Sequence, residues 1–350
     1  MTSAHETKEP CPLCGAMVWS RHPAQPGYRL GLSFEVLHCT GCNTSFAHPL
    51  VVDTAIYDAI YSHPEQIPGY DRYAVYARRV SEVDDPMGFL ARSEDVYWSI
   101  SSCVKKMGPG ARILDIGSGM GYLTCALRKS GYEATGLDVS RVAVAKAIER
   151  YGPYYQEADL AEWSVSHAGV FDMVIMAELI EHVPDPAAFL GMAAKLLRPG
   201  GRLVITTPNK SYFPPWVLWE TDVPPVHLWW FSENSMRLFA RKSGMGITFV
   251  DFTAFNRDHP ATRIPVIAAG QPSCGARLDE QNRPLSREAQ NREAQSRRPW
   301  NYRLLKFKRA VARRLRGLGE GLGLASPRCQ RGTLCAVLAD PRPSAKPPGA

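Results

Sequence analysis

Three sets of side chains in this sequence have types and spacings that can do chemistry. The first is Asp115-Ile-Gly117-Ser118-Gly119-Met120-Gly121, a glycine turn directly after the apolar stretch Ile113-Leu114. Such turns bring backbone close to an anionic or nucleotide-like ligand. A dinucleotide fingerprint reads GxGxxG, but here the third glycine comes one position early and Tyr122 stands where that pattern wants glycine. Asp115 would repel a pyrophosphate and suits a ligand that presents a cationic amine. The second set is Glu178, Glu181 and His182, at i, i+3 and i+4. A helix there would gather all three on one face, where they could move a proton, hold a divalent ion or simply shape a loop. His227, ahead of Trp229-Trp230-Phe231, is a further candidate to meet a substrate, with aromatic packing as the alternative. The third set is Cys11-Pro-Leu-Cys14 and Cys39-Thr-Gly-Cys42, two CxxC knuckles separated by 24 residues. That spacing predicts a zinc ribbon in which four thiolates close a structural site with no open coordination position.

The elements that position these groups can be read from the surrounding pattern. From about residue 88, helix and strand alternate: a helix over 88–106, strand 111–116, the glycine turn and its helix, then strand 133–138. Ser140 is placed to cap the next helix and Gly152 to end it. A short strand reaches Asp159, and Phe171–Glu178 reads as a buried strand. Asp185-Pro186 starts a helix that stops at Pro199-Gly200-Gly201, before strand 202–208. Ser232 opens a helix that ends at Gly244, strand 246–252 follows, and 332–340 reads as one last strand. Such alternation predicts an α/β fold, a Rossmann-like, doubly wound, mostly parallel sheet preceded by the small ribbon. The expected divisions are a ribbon at 1–49, a tyrosine-rich helical connector at 50–87 and the sheet domain at 88–255 with 332–340. A flexible basic insertion at 256–331 and a disordered tail at 341–350 complete the chain. The connector carries Tyr57, Tyr61, Tyr70, Tyr73 and Tyr76. It is placed either to lie over the mouth of the site or to pack on the domain as a plain linker.

The chain has 350 residues, 45% hydrophobic, with a formal net charge of +7. The charge is local: from Arg257 to Arg331 there are 17 Lys/Arg against 6 Asp/Glu, so the rest is net negative and lacks a general nucleic-acid footprint. Within that segment Leu304, Phe307, Val311, Leu315 and Leu318 recur at helical spacing among seven cations between Arg303 and Arg316. Such a stripe can dock reversibly on an anionic bilayer surface or pack on the domain. Nine cysteines, an odd number that includes two CxxC pairs, no long apolar run and no apolar core in the first ten residues lead us to expect a cytoplasmic protein, at most peripheral at the inner membrane surface.

Taken in order, the strand–Asp115–glycine turn, the acids ending the second and third strands (Asp138, Asp159) and "LRPGGRLVITTPN" resemble class I S-adenosylmethionine-dependent methyltransferases over about 88–255. "MAELIEHVPDP" with "PVHLWWFS" is similar to the ubiquinone-type O-methyltransferases and their small-molecule relatives, several of which carry an N-terminal CxxC…CxxC ribbon. The resemblance implies S-adenosylmethionine as cofactor. Asp115 would orient its ammonium, Gly117, Ser118, Gly119 and Gly121 would approach its methionine moiety, and Asp138 would accept from the ribose hydroxyls. Asp159 and the Leu160 backbone would meet the adenine, with Val139 and Ala177 completing the set. Taken alone, Asp138 is equally well a neighbour of the helix cap. The resemblance also implies methyl transfer to a small-molecule or lipid-linked acceptor, with O-methylation favoured. His182 would act as base, or Glu178/Glu181/His182 would hold a divalent ion, or the triplet would be structural. DNA is disfavoured because no NPPY-like segment follows the fourth strand. An rRNA methyltransferase using the ribbon and the basic insertion is the alternative enzyme, disfavoured because that group's ribbon ends in a Cys…His pair. A non-catalytic, zinc-ribbon protein that binds S-adenosylmethionine is the third possibility.

Overall fold

The computed structural model describes residues 5–20, 24–212, 218–219, 223–259, 266–267, 275–286, 288–290 and 330–339. The basic stripe at 303–318 and the tail lie outside the described residues.

The chain opens with β1 (His5–Pro10), β2 (Met17–Ser20), β3 (Gln25–Pro26), β4 (Ser33–Cys39) and β5 (Ser45–His48). Helices α1 (Thr54–Ser62) and α2 (Asp71–Arg79) form the connector, followed by α3 (Pro86–Ser93) and α4 (Asp95–Val104). One helix was expected over 88–106. It is two, because Glu94 is extended (φ −146°, ψ 150°) and breaks the run.

The sheet domain then runs β6 (Arg112–Ile116), α5 (Tyr122–Lys129), β7 (Glu133–Asp138), α6 (Arg141–Tyr151), β8 (Tyr155–Glu157), α7 (Leu160–Ser166) and β9 (Phe171–Ala177). It continues with α8 (Pro186–Lys195), β10 (Leu197–Pro208), β11 (Leu218–Trp219), β12 (Trp229–Trp230), α9 (Glu233–Lys242), β13 (Gly246–Phe249), α10 (Thr253–Asp258), β14 (Val266–Ile267) and β15 (Thr333–Ala339). The seven-stranded sheet has the order β13-β15-β10-β9-β6-β7-β8. The five strands from β10 to β8 are parallel, and β15 runs antiparallel between β10 and β13. Strand order reverses on either side of β6, so a crevice opens beyond the carboxyl ends of β6 and β9, where a doubly wound sheet binds its ligand.

The helix boundaries follow local chemistry. Ser140 Oγ accepts from Ala143 N at 3.3 Å to start α6, and Gly152 ends it at φ +95°. Asp185 accepts from Ala188 N, with Pro186 in the first turn of α8, and Ser232 caps α9 through a reciprocal bond pair with Ser235. Side chains alternate across the strands and feed two cores. Leu114, Val174, Met176, Leu203 and Ile205 face one way with Trp163, Leu190 and Phe239. Ile113, Met173, Ile175 and Val204 face the other way with Ile100, Leu127 and Phe255.

Two regions depart from the expected divisions. The sheet of the first module is completed from far along the chain: β12 pairs antiparallel with β5, Trp229 opposite Phe46 and Trp230 opposite Ser45. The aromatic run after His227 is therefore a strand that joins ribbon to sheet domain. Segment 275–286, expected within a flexible insertion, is packed: Leu278 is fully buried and bridges both Arg29 and Pro284. Its apolar side chain completes a satellite core with Tyr28, Ile56, Ile60 and Val223, a long-range match that composition does not reveal.

Candidate active site and four-cysteine centre

The cofactor side of the crevice is built within one strand–helix–strand unit. Asp115, on β6, is 1% exposed and accepts from Thr124 Oγ1 at 2.7 Å. Burial pushes its pKa up to about 7; the hydrogen bond from Thr124 opposes that shift and the Asp138 charge adds to it. Gly117, Gly119 and Gly121 all have positive φ (+73°, +50° and +79°), a conformation costly for side-chain-bearing residues. Space forbids them as well: a Cβ on Gly117 would come within 2.8 Å of Leu179, and one on Gly121 within 2.7 Å of Ala147 and Tyr155. The Gly117 and Ser118 amides donate to the Leu137 carbonyl, which binds the turn to β7.

Asp138 is buried at the end of β7. Its carboxylate accepts from Gly119 N and Ser140 N, both at 2.8 Å. Burial raises its pKa and the backbone hydrogen bonds oppose that. The carboxylate thus ties the glycine turn to the start of α6. Asp159 behaves differently: it is exposed and caps α7 by accepting from Ala161 N at 2.7 Å. Leu160 is buried behind it, while Val139 is 66% exposed beside Asp138, an apolar face available to a flat ring. Ala177 ends β9 across the crevice.

The acceptor side is assembled from distant segments. Glu178 follows β9 at φ +50°, and its amide donates to the Thr206 carbonyl and hydroxyl at 3.2 and 3.1 Å. The helix expected here is a single 3-10 turn, Ile180–His182. This corrects the one-face reading of the triplet. Glu181 is fully buried while His182 is only partly so, and the left-handed Glu178 backbone cannot continue an α-helix. His182 Nε2 lies 4.0 Å from Glu181 Oε1. His182 Nδ1 donates to the Val226 carbonyl at 2.5 Å, which leaves Nε2 as the basic nitrogen. His227 lies against it, ring centroids 4.6 Å apart, and burial pushes its pKa down to about 3. Tyr57 stands edge-on to His182 at 6.1 Å and donates to the Val226 carbonyl at 3.2 Å. Among the described residues the triplet is not a metal-ligating cluster.

The cluster that has metal geometry is Cys11, Cys14, Cys39 and Cys42, whose sulfurs all lie within 4.8 Å of one another. Cys11 and Cys42 sulfurs are 3.7 Å apart, Cys14 and Cys39 3.4 Å. Burial pushes Cys39 up to about 11, and the neighbouring Cys11 thiol raises Cys42 further. Four thiolates coexist at that spacing around a cation, and the set fits a structural zinc ion. Gly41 is required there, because a Cβ would fall 2.7 Å from Ala16 and 3.3 Å from Cys14 Sγ. The knuckles dock on the sheet domain: Ser232 Oγ donates to the Cys42 carbonyl at 2.7 Å and Lys242 Nζ to the Leu13 carbonyl at 2.6 Å.

The structure thus brings Asp115, Gly117, Ser118, Gly119, Gly121 and Asp138 into one cradle, and His182 and His227 into another. It leaves Asp159 at the rim and turns Glu181 inward. Thr124 and Val226 belong to the same surroundings and were not singled out from the sequence, whereas Tyr57 and Tyr61 were named only within the connector, as a cover or a plain linker. Their signal was weak: Thr124 lies one helical turn into α5, and Tyr57 and Tyr61 sit at i and i+4.

Residues 95–248 match the family model described as a methyltransferase domain. Curated relatives include a ubiquinone biosynthesis O-methyltransferase of Aromatoleum aromaticum, 39% identical over 108 residues, covering 29% of this chain and 46% of the relative. Another, from Xanthomonas axonopodis pv. citri, is 33% identical over 147 residues, covering 40% and 61%. The chain therefore spans about half to three-fifths of the length of these relatives. Among solved structures, an S-adenosylmethionine dependent methyltransferase from Mesorhizobium loti aligns at 23% identity and a TM-score of 0.38, covering 46% of this chain and 90% of that one. The chain thus has an α/β, Rossmann-like class I methyltransferase fold, and residues 95–248 are similar, at modest identity, to ubiquinone biosynthesis O-methyltransferases.

Proposed function

We propose that this methyltransferase domain works as an S-adenosylmethionine-dependent enzyme that methylates a small-molecule or lipid-linked acceptor, most favourably at oxygen. One observation carries the reading: the Asp138 carboxylate, the Gly119 amide and the positive-φ glycine turn converge at the carboxyl end of β6 and β7, beside the buried acid Asp115. That cradle suits a ligand with a ribose and an ammonium, and no pyrophosphate.

S-adenosylmethionine supplies, when bound, an activated methyl on a sulfonium. The chain's own residues bind and orient. Asp115 attracts the ammonium, Asp138 accepts from the ribose hydroxyls, and Val139 offers an apolar face to the adenine, with Asp159 and the Leu160 backbone near its edge. On the opposite side His182 Nε2 takes the proton of an acceptor hydroxyl. Its Nδ1 keeps its proton and donates it in a hydrogen bond to the Val226 carbonyl, and the buried Glu181 carboxylate stabilises the imidazolium. His227, held neutral by burial, shapes the acceptor wall. Positioning of the acceptor oxygen in line with the methyl accounts for much of the rate. The ribbon is a structural element, and a divalent ion at the Glu178 triplet is not part of the mechanism.

The test is methyl transfer from labelled S-adenosylmethionine to cell extract split into small-molecule, lipid and RNA fractions. Label in the first or second fraction that disappears with His182→Gln supports the reading. Label confined to RNA overturns it in favour of an RNA methyltransferase. Binding of S-adenosylmethionine with no transfer leaves a binding protein.

A further inference from the structure

Helix α1 lies between the two halves of the site and is attached on three sides. Its back is apolar: Ile56 and Ile60 are fully buried against Tyr28, Val223, Val226 and Leu278. Its start is pinned through Asp53, which caps the helix and pairs with Arg29 at 2.8 Å; Arg29 in turn donates to Asn282 Oδ1 at 3.1 Å. Its front carries Tyr57 and Tyr61, one helical turn apart. Tyr57 reaches the acceptor wall at Val226 and His182. Tyr61 reaches the glycine turn, its hydroxyl 3.1 Å from where a Cβ on Gly119 would stand.

The attachment of α1 to the sheet domain is of another kind. Lys146 Nζ, on α6, donates to the Tyr61 carbonyl at 2.8 Å and to the Ser62 carbonyl at 3.4 Å, a cation on the carbonyl end of the helix. Ser140 Oγ donates to Asp58 Oδ1 at 3.3 Å. Lys146 and Asp58 are both exposed, so these contacts are screened by salt and individually weak. Immediately outside them a cleft of about 360 Å³ opens, lined by Tyr61, Met120, Ala143 and Lys146 among others. Met120 belongs to the glycine turn, so the cleft borders that turn from the solvent side.

We propose that α1 is a cover over the transfer chamber: Tyr61 contacts the cofactor, and Lys146 is the latch whose release lets an S-adenosyl ligand pass through the adjoining cleft. This rests on the cofactor reading proposed above. In that reading the methyl is transferred between the glycine-turn side and the His182 side, and Tyr61 and Tyr57, one helical turn apart, reach one side each. Closing over both sides excludes water from the acceptor and the proton-accepting nitrogen. A cover held by weak polar contacts on the sheet side and a firm apolar back opens by parting from α6 while it keeps its hold on the module behind it.

The experiment uses full-length, zinc-loaded protein and S-adenosylhomocysteine as the probe, with its release followed by stopped-flow displacement. Salt should accelerate release from the native protein, and Lys146→Met should speed release roughly fivefold, the worth of one cation at a helix carboxyl end, and weaken that salt dependence. Tyr61→Ala should speed release by about tenfold or more. Amide exchange across 54–62 should slow when the probe binds. If the native protein binds the probe but both variants release it at the native rate and exchange at 54–62 is unchanged, the cover is overturned and the cofactor reading stands. If calorimetry finds no binding to the native protein, the cofactor reading itself fails and takes the cover with it. Lys146 is exposed and its replacement leaves the core untouched, so that variant carries the test even if Tyr61→Ala folds poorly.

Discussion

On the cofactor side of the crevice, Asp115, the glycine turn, Thr124 and Asp138 all belong to the single unit β6–α5–β7, and their bonds run between near neighbours in sequence. On the acceptor side, His182 is held by the carbonyl of Val226, which also accepts from Tyr57, and the backbone of Leu228 donates to the Glu181 carbonyl. Three stretches of chain must meet before that wall exists. The contrast teaches that the two sides are built differently: the glycine-turn cradle is local, whereas the acceptor wall, and the α1 cover that reaches both, depend on how the module and connector dock.

The sharpest way to break this contrast is to remove the metal. Elemental analysis should find one zinc per chain, and Cys39→Ser should abolish it and lower the melting temperature on the order of 10 °C. Affinity for S-adenosylhomocysteine should fall by no more than about tenfold, the share of the α1 cover, because the cradle itself makes no bond to the knuckles. A collapse of that affinity together with zinc would show that the cradle is not local. Next in size is Asp138→Ala. It removes the acceptors for two ribose hydroxyls, each charge-assisted bond worth about 1.5–3 kcal/mol, and also frees the Gly119 amide. Calorimetry should show affinity falling about 100-fold, and an unchanged affinity removes Asp138 from the site.

A smaller effect comes from pH. The folded pKa of Asp115, about 7, lies above its unfolded value, so the folded state binds the extra proton. Its contribution to stability is fully present below the unfolded pKa and is lost as pH rises through about 7. Asp115→Asn should therefore raise the melting temperature of the ligand-free protein at pH 8 and leave it nearly unchanged at pH 4, as read by calorimetry. The same substitution should weaken cofactor binding at pH 8. In the native protein that binding should strengthen as pH rises through about 7, because the ammonium needs the carboxylate. The smallest effect belongs to the acceptor wall. His227 is held neutral down to about pH 3, so His227→Gln should alter the KM for an acceptor and leave the pH profile of kcat unmoved. A shifted profile would make His227 the base in place of His182.

Legibility follows the same division. The glycine turn, the Ser140, Asp185 and Ser232 caps and the final strand could be read because each depends on a few adjacent residues. The four cysteines were readable because metal-ligand spacing is itself a local pattern. Helical spacing misled at Glu178, where the Thr206 contacts hold the backbone at φ +50° and a 3-10 turn replaces the helix. Trp229 and Trp230 gave no hint of a strand partner at Phe46 and Ser45, nor Leu278 of one at Arg29. These pairings are set by the shape of surfaces that exist only after the parts have folded.

The pairing of β12 with β5 has a consequence for the order of folding. During synthesis the cysteine knuckles emerge first and can capture their metal at once, but the edge of β5 stays open until Trp229 and Trp230 arrive, after all five of the sheet's parallel strands have been made. The module that comes first in the chain is thus among the last to be finished, and its unpaired edge is exposed in the meantime. Loop closure over so long a separation is slow. The nascent chain should therefore be most prone to aggregate while β5 waits for its partner, and should lose that tendency once residue 230 has left the ribosome.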